Sequence, residues 1–323
     1  MPKDIPETLQ TRNRLELTTS PHLHNNWSTP RAMWMVGAAL VPSTAAALIF
    51  FGWAQIGILL TSILCAAATE AVIQKLRKLP VTLADGSAVL TGWLLALTLP
   101  PDFSLVSTGI GAVVAIGIGK HVFGGLGYNI FNPALVGRAF LQAAFPVAMT
   151  TWKSPNLVDT VTTATPLGSL KFDAVASGLT PMFFGNIGGS LGETSALALL
   201  AGGIFLIVIG IVNWRIPAAM AIGILLFGSL AWRLNLQEYP SPFYHLLGGG
   251  FLLGALFMAT DWVSSPISGR GMWIYGLGIS LIVVLIRVFG GLPEGMMYAI
   301  LMMNAAVPMI DRFTRPRIFG ATV

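Results

Sequence analysis

Trp53-Ala54-Gln55-Ile56-Gly57-Ile58-Leu59-Leu60-Thr61-Ser62-Ile63-Leu64-Cys65-Ala66-Ala67-Ala68-Thr69 opens a run that stays apolar as far as Ile73, with Glu70 as its one charged residue. At ~1.5 Å of rise per residue, a helix over 53–73 matches the ~30 Å hydrocarbon layer of a bilayer. Comparable runs lie at 33–51, 87–99, 105–123, 131–149, 194–212, 216–233, 245–260, 271–289 and 294–310. Ten candidate spans predict an all-α polytopic membrane protein with both termini on one side. Composition agrees: of 323 residues, 54% are hydrophobic and 10% charged, and the mean hydropathy is +0.76. A soluble domain carries about 25% charged residues. A chain this poor in charge cannot keep a globule of its size dispersed, which excludes a cytosolic enzyme, a disordered chain and a nucleic-acid-binding domain. The net charge of +5 reads instead as lysines and arginines on the cytoplasmic side of a membrane. A single cysteine, Cys65, excludes an internal disulfide and any all-cysteine iron–sulfur or zinc site held by this chain alone.

Charge placement orients the spans. Residues 1–31 are polar, hold Lys3, Arg12, Arg14 and Arg31, and lack the apolar core of a cleavable signal peptide, so they read as a cytoplasmic tail. With both tails inside, the inner loops carry Lys75, Arg77, Lys78, Lys120, Arg215 and Arg270, and the C-terminal tail adds Arg312, Arg315 and Arg317. Thirteen of the eighteen basic residues then lie inside, as the positive-inside rule requires. Lys153 and Lys171 fall in one long outer loop, 151–192, and Arg138, Arg233 and Arg287 fall within spans or at their outer ends. The string Val122-Phe123-Gly124-Gly125-Leu126 recurs as Val288-Phe289-Gly290-Gly291-Leu292. About thirty residues before each copy lies a short apolar run, Leu90–Leu97 and Leu252–Ala259. Two halves of five spans follow, 32–150 and 193–312, with a C-terminal tail at 313–323. Because five is odd, the second half is inverted relative to the first. Inverted repeats place their sites at the interface between halves, on short or interrupted helices. The third span, ending at Pro100-Pro101-Asp102, and the eighth, ending at Asp261, fit that description.

Several polar residues carry two readings each. Asp159-Thr160-Val161-Thr162-Thr163-Ala164-Thr165-Pro166-Leu167 is, on local physics alone, a polar turn segment in which Pro166 keeps Thr165 extended. Gly124-Gly125-Leu126-Gly127 sits between two spans rather than after a strand, so it is not a nucleotide-fold phosphate loop. Its glycines allow close backbone approach to a neighbouring helix or to a flat ring. Asn129 and Asn132 then bond either the polar edge of such a ring or freed backbone carbonyls. Arg138, inside the fifth span, is paired and functional or snorkels toward the cytoplasm. Glu70, Asp102, Asp261 and Glu294 read as interfacial acids, with Asp261 the strongest candidate among them for a role. His22, His24, His121 and His245 form no metal site, and the tryptophans, Trp27 and Trp152 included, read as an interfacial belt.

Three stretches together resemble the RnfD/NqrB family, membrane subunits of ion-translocating electron-transfer complexes. They are Gly124-Gly125-Leu126-Gly127-Tyr128-Asn129-Ile130-Phe131-Asn132-Pro133-Ala134-Leu135-Val136-Gly137-Arg138-Ala139-Phe140-Leu141, the Asp159–Thr165 segment, and the tail segment Ser20-Pro21-His22-Leu23-His24. The short N-terminal tail favours RnfD over NqrB. The resemblance implies FMN joined to Thr165 by a phosphoester, with Asp159, Thr162 and Ala164 matching the family motif and Thr163 standing where the family usually has Gly. It implies an electron-relaying subunit of a ferredoxin:NAD oxidoreductase complex coupled to Na+ or H+ transport, set in a bacterial inner membrane with 151–192 on the periplasmic side. A flavin transferase would modify the threonine, and Asp159 would help that enzyme recognise it. Implied partners are an RnfG-like flavoprotein, an NADH-handling subunit, an iron–sulfur subunit, two small membrane subunits and membrane lipid. The closer relatives imply a second, non-covalent flavin (riboflavin or FMN) between the halves.

Two rivals share much of this pattern. A small-solute channel or transporter of the urea-transporter type also uses ten spans in inverted halves, and fold alone does not separate the two. The Asp159–Thr165 motif does, because a channel has no use for it. An NqrB-like subunit of a Na+-translocating quinone reductase is the other, and the short tail argues against it.

Overall fold

A computed structural model describes residues 28–155, 162–234 and 239–315. Helix α1 spans Thr29–Phe51, starting inside the segment read as a tail. Ser28 caps it by accepting from the Arg31 amide, and Pro30 sits in its first turn, where a missing N–H costs nothing. Helix α2 is Gln55–Leu76. Helix α3, Ser87–Leu97, is only 11 residues long. Helix α4, Leu105–Ile116, runs into a π-helical turn at Gly117–His121. Asn132 and Pro133 start α5, Pro133–Ala144, and Pro146 interrupts the apolar run there, so that α6, Pro146–Thr150, is a separate turn.

The segment expected as one long loop has structure of its own. Strands β1 (Trp152–Lys153) and β2 (Thr162–Thr163) pair antiparallel, Trp152 opposite Thr163. Helices α7, Pro166–Asp173, and α8, Leu179–Phe184, follow. Next come α9, Ala196–Val208, and α10, Arg215–Leu234. The run expected as a single eighth span is broken. Helix α11, Pro242–Leu247, is followed by Gly248-Gly249-Gly250, then by one turn of α12, Phe251–Leu253, and a π-helical turn at Gly254–Met258. Helices α13, Gly269–Phe289, and α14, Met296–Thr314, complete the described chain.

Four helices, α1, α2, α10 and α13, are long and apolar enough to cross a membrane, and α3, α4 and α9 are shorter apolar helices. Their outward faces are apolar as well. Ile222, Leu226 and Leu230 on α10, and Ile274, Leu281 and Leu285 on α13, are exposed at helical spacing, the pattern of a lipid-facing stripe. Lipid supplies no hydrophobic drive between helices, so their association relies on close packing of small residues. At the crossing of α2 and α3, a Cβ on Gly92 would lie 2.7 Å from the Ser62 carbonyl oxygen and 2.8 Å from the Ile63 Cα. The Ser62 hydroxyl donates to the Gly92 carbonyl over 2.6 Å. Gly276 on α13 meets α10 in the same way, against Ala219 and the Ile216 carbonyl. The short elements are the innermost. Residues 251–260 are buried throughout, as is most of α3.

Candidate functional site

Thr165 is the N-cap of α7. Its hydroxyl oxygen accepts the Gly168 amide over 3.1 Å, and the side chain is buried. Pro166 occupies the first helical position, which explains locally why the chain turns helical after an extended Thr165. The helix is then fastened to the second half of the chain. The Tyr244 hydroxyl donates to the Pro166 carbonyl over 2.8 Å. The Lys171 ammonium donates to the carbonyls of Arg287 (2.9 Å), Gly290 and Leu292 (3.1 Å), at and beyond the C-terminus of α13. Those carbonyls lack helical partners of their own, so a lysine there satisfies both the hydrogen bonds and the negative end of the helix dipole. Burial pulls the Lys171 ammonium below the ordinary lysine range.

Thr165 and Ala164 lie on the wall of a cavity of about 300 Å³. Met149, Trp152, Phe172, Leu253, Met258, Met297 and Tyr298 supply an apolar and aromatic lining, and Arg138, Glu193 and Glu294 supply the charge. The Arg138 guanidinium donates to Glu193 Oε1 over 2.9 Å and to Glu294 Oε2 over 3.3 Å. Arg138 and Glu193 are buried, and Glu294 is nearly so. The second oxygens, Glu193 Oε2 and Glu294 Oε1, are buried with no hydrogen-bond partner among the described residues. Glu193 is set in place by backbone. The Leu191 and Gly192 amides donate to the Leu99 and Leu97 carbonyls at the end of α3, and Ser195 caps α9 two residues later. Behind this wall the buried Arg287 donates to the carbonyls of His245 (2.5 Å) and Gly248 (2.8 Å).

A second, smaller cavity of about 90 Å³ is lined by Ser87, Lys120, Asn129, Asn132, Phe257 and Asp261, among others. The Lys120 ammonium bonds both Glu70 oxygens at 2.7 Å and the Ser87 hydroxyl at 2.6 Å. Asn132 caps α5, accepting from Ala134 and Leu135, and donates to the Met258 carbonyl over 3.1 Å. That carbonyl ends the π-helical turn and has lost its regular helical partner. Asn129 donates to the Phe131 carbonyl.

The structure corrects several expectations. Arg138 does not snorkel toward the cytoplasm, because two carboxylates hold it inside beside Thr165. Glu70 is a buried partner of Lys120, and Glu294, partly buried, is a partner of Arg138. Lys120 is not a loop charge, being 2% exposed. Arg287 is buried as well. Gly124, Gly125 and Gly127 have φ of +128°, +107° and +88°, and only Tyr128 comes within 3.4 Å of a Cβ built on any of them. They serve a left-handed backbone and do not pack closely against a neighbouring helix. The fold brings Arg138, Ala164 and Thr165 together and sets Asn129 and Asn132 at the other cavity. Thr162 lies in β2, paired with Lys153. Asp159 and the tail segment 20–24 lie outside the described residues. The sequence reading missed Glu193, Lys171 and Tyr244. Glu193 stands just before an apolar run and a Ser cap, a position that could have drawn attention to it.

Fold and site together define a class: a mainly helical membrane protein with a largely apolar cavity walled by a buried arginine and two carboxylates. The chain belongs to the NQR2, RnfD, RnfE family, whose sequence profile matches residues 16–320. It is 46% identical over 316 residues to the D subunit of the Na(+)-translocating ferredoxin:NAD(+) oxidoreductase complex of Acetobacterium woodii, covering 96% of this chain and 97% of that one. It is 43% identical over 324 residues to the D subunit of the proton-translocating ferredoxin:NAD(+) oxidoreductase complex of Clostridium ljungdahlii, with the same coverage. To the D subunit of the ion-translocating oxidoreductase complex of Stutzerimonas stutzeri it is 41% identical, covering 91% and 92%.

Proposed function

We propose that this chain is the D-type membrane subunit of an ion-translocating ferredoxin:NAD oxidoreductase complex and relays electrons through FMN esterified to Thr165. Thr165 on the wall of a cavity that also presents Arg138 and two carboxylates is the observation that carries this reading. The cavity residues fit the group. A volume near 300 Å³ lies at the lower end of the ~300–1,000 Å³ usual for small-molecule sites. Its apolar and aromatic walls suit a flat tricycle. The buried unpartnered oxygens of Glu193 and Glu294 suit the N–H groups of its polar edge, and the Arg138 guanidinium suits its carbonyls. The bound flavin supplies one- and two-electron chemistry, and the protein's part is to hold the ring and adjust its electronics. Thr165 is buried, so the transferase must reach its hydroxyl before the outer segment closes, or while it is open.

In this reading the chain sits in a bacterial inner membrane as ten spans, 32–150 and 193–312 being inverted halves and 151–192 the periplasmic segment, with both tails inside. Alike packing supports the repeat: α2 lies against α4 in the first half and α10 against α13 in the second. The small cavity, with Asn129, Asn132 and Asp261 on its wall, holds only about 90 Å³, too little for the second, non-covalent flavin that the resemblance implies, so these residues do not locate one. Coupling to Na+ or H+ transport, and partners of the flavoprotein, NADH-handling, iron–sulfur and small membrane types, follow from the same reading. Mass spectrometry of the denatured chain, made together with its transferase, should find FMN minus water on Thr165. Thr165→Val should insert normally and lose in-gel flavin fluorescence, whereas Thr165→Ser should keep part of it. A wild-type chain without covalent flavin would sink the proposal.

A further inference from the structure

We propose that Arg138, Glu193 and Glu294 set the redox potential of the group bound in the Thr165 cavity, with the arginine raising it and the carboxylates lowering it. This inference rests on the reading of Thr165 as a flavin attachment point. Three observations carry it. All three charged side chains lie on the cavity wall, whose other lining is largely apolar and aromatic. Each carboxylate uses one oxygen on Arg138 and keeps the other buried without a protein partner among the described residues. Finally, the cluster is fixed from three separate elements: α5, the turn before α9, and the linker between α13 and α14.

Reduction adds charge to the ring. An electron entering a ring in a low-dielectric cavity interacts with nearby fixed charges far more strongly than it would in water. A guanidinium stabilises the reduced ring, a carboxylate destabilises it, and the protein tunes a flavin mainly through charges near its ring nitrogens. Arg287, behind Gly249, is committed to two backbone carbonyls and is absent from the cavity wall. It balances the cluster's charge without facing the ring.

The test is a redox titration of the covalent flavin's absorbance in the full-length holo-chain, beside a measurement of covalent flavin content. Glu193→Gln and Glu294→Gln should each raise the midpoint potential, and Arg138→Gln should lower it. Each shift should be at least tenfold in the redox equilibrium, about 59 mV for a one-electron couple. Glu294→Asp and Arg138→Lys, which keep their charges, should stay near wild type. Opposite signs are the signature, because loosened packing alone would not sort the variants by charge. Glu294→Gln, titrated at alkaline pH so that burial and Glu193 no longer keep the Glu294 carboxyl protonated in the wild type, decides the matter. Gln keeps an acceptor oxygen for Arg138, and Glu294 is the more exposed of the two acids, so this variant is the best placed to fold. A flavin-loaded Glu294→Gln with an unchanged or lowered potential overturns the inference while leaving the attachment at Thr165 standing. Absence of flavin from the wild-type chain refutes the attachment instead.

Discussion

Lys120 illustrates how a single residue changes meaning between sequence and structure. By composition it is a lysine at the end of an apolar run. In the fold it is fully enclosed, bonded to both oxygens of Glu70 and to Ser87. Removing one partner of a buried pair leaves an uncompensated charge and costs about 3–5 kcal/mol, whereas replacing both by apolar groups of similar volume is often close to neutral. Glu70→Gln should therefore destabilise the chain by about that much, and Glu70→Leu with Lys120→Met should recover most of the loss. Thermal unfolding of the purified protein in detergent checks both, and a double variant no better than the single one would contradict the account. Arg138 follows the same logic. A buried arginine in a membrane span was legible as expensive, but Glu193, 55 positions away in sequence, and Glu294, 156 away, carried no sign of being its partners.

Among the elements, the short helices decide the architecture. Helix α3 meets α2 at Gly92, where there is no room for a side chain. Gly92→Leu should force α2 and α3 apart and abolish accumulation of folded protein, while Gly210→Leu in a loop with open space around it should be felt only through its left-handed φ of +79°. Fluorescence-detected size exclusion of the two variants measures the difference, and equal profiles would argue against a packed crossing at Gly92. The broken eighth run has a definite cause. Three consecutive glycines end α11, and the π-helical turn then leaves the Met258 carbonyl for Asn132 of the first half. Periodicity cannot reveal that break, since the run is apolar throughout.

On the scale of the whole molecule, the question is which surface faces which side. The proposed ten-span topology predicts the segment bearing Thr165 outside and the loop before α13 inside. Single cysteines at the exposed positions Thr151 and Arg270, in a chain lacking Cys65, should label oppositely with an impermeant thiol reagent applied from outside. Equal labelling from outside would overturn the ten-span topology and with it the assignment of Thr165 to the periplasm. The ties of α7 to the second half, through Tyr244 and Lys171, bear on the same scale. They couple the segment carrying Thr165 to α11 and to the end of α13.

The sequence by itself determined the helical membrane class, because a low density of charge and long apolar runs leave no soluble alternative. The motifs at the entrance to α5 and around Thr165 could be read as local strings, but the Asn132 cap of α5 and the left-handed glycines before it emerged only in the fold. The fate of the charged residues was not local. Whether Lys120, Arg138, Glu193, Arg287 and Glu294 meet solvent or one another depends on which helices the fold brings side by side. A buried charge is tolerated only where a partner from a distant segment arrives to neutralise it. The separation of Asn129 and Asn132 from Arg138, which lies only six residues beyond Asn132, was likewise decided by tertiary structure. The turn into α5 sends the asparagines to one cavity and the helix carries the arginine to the other.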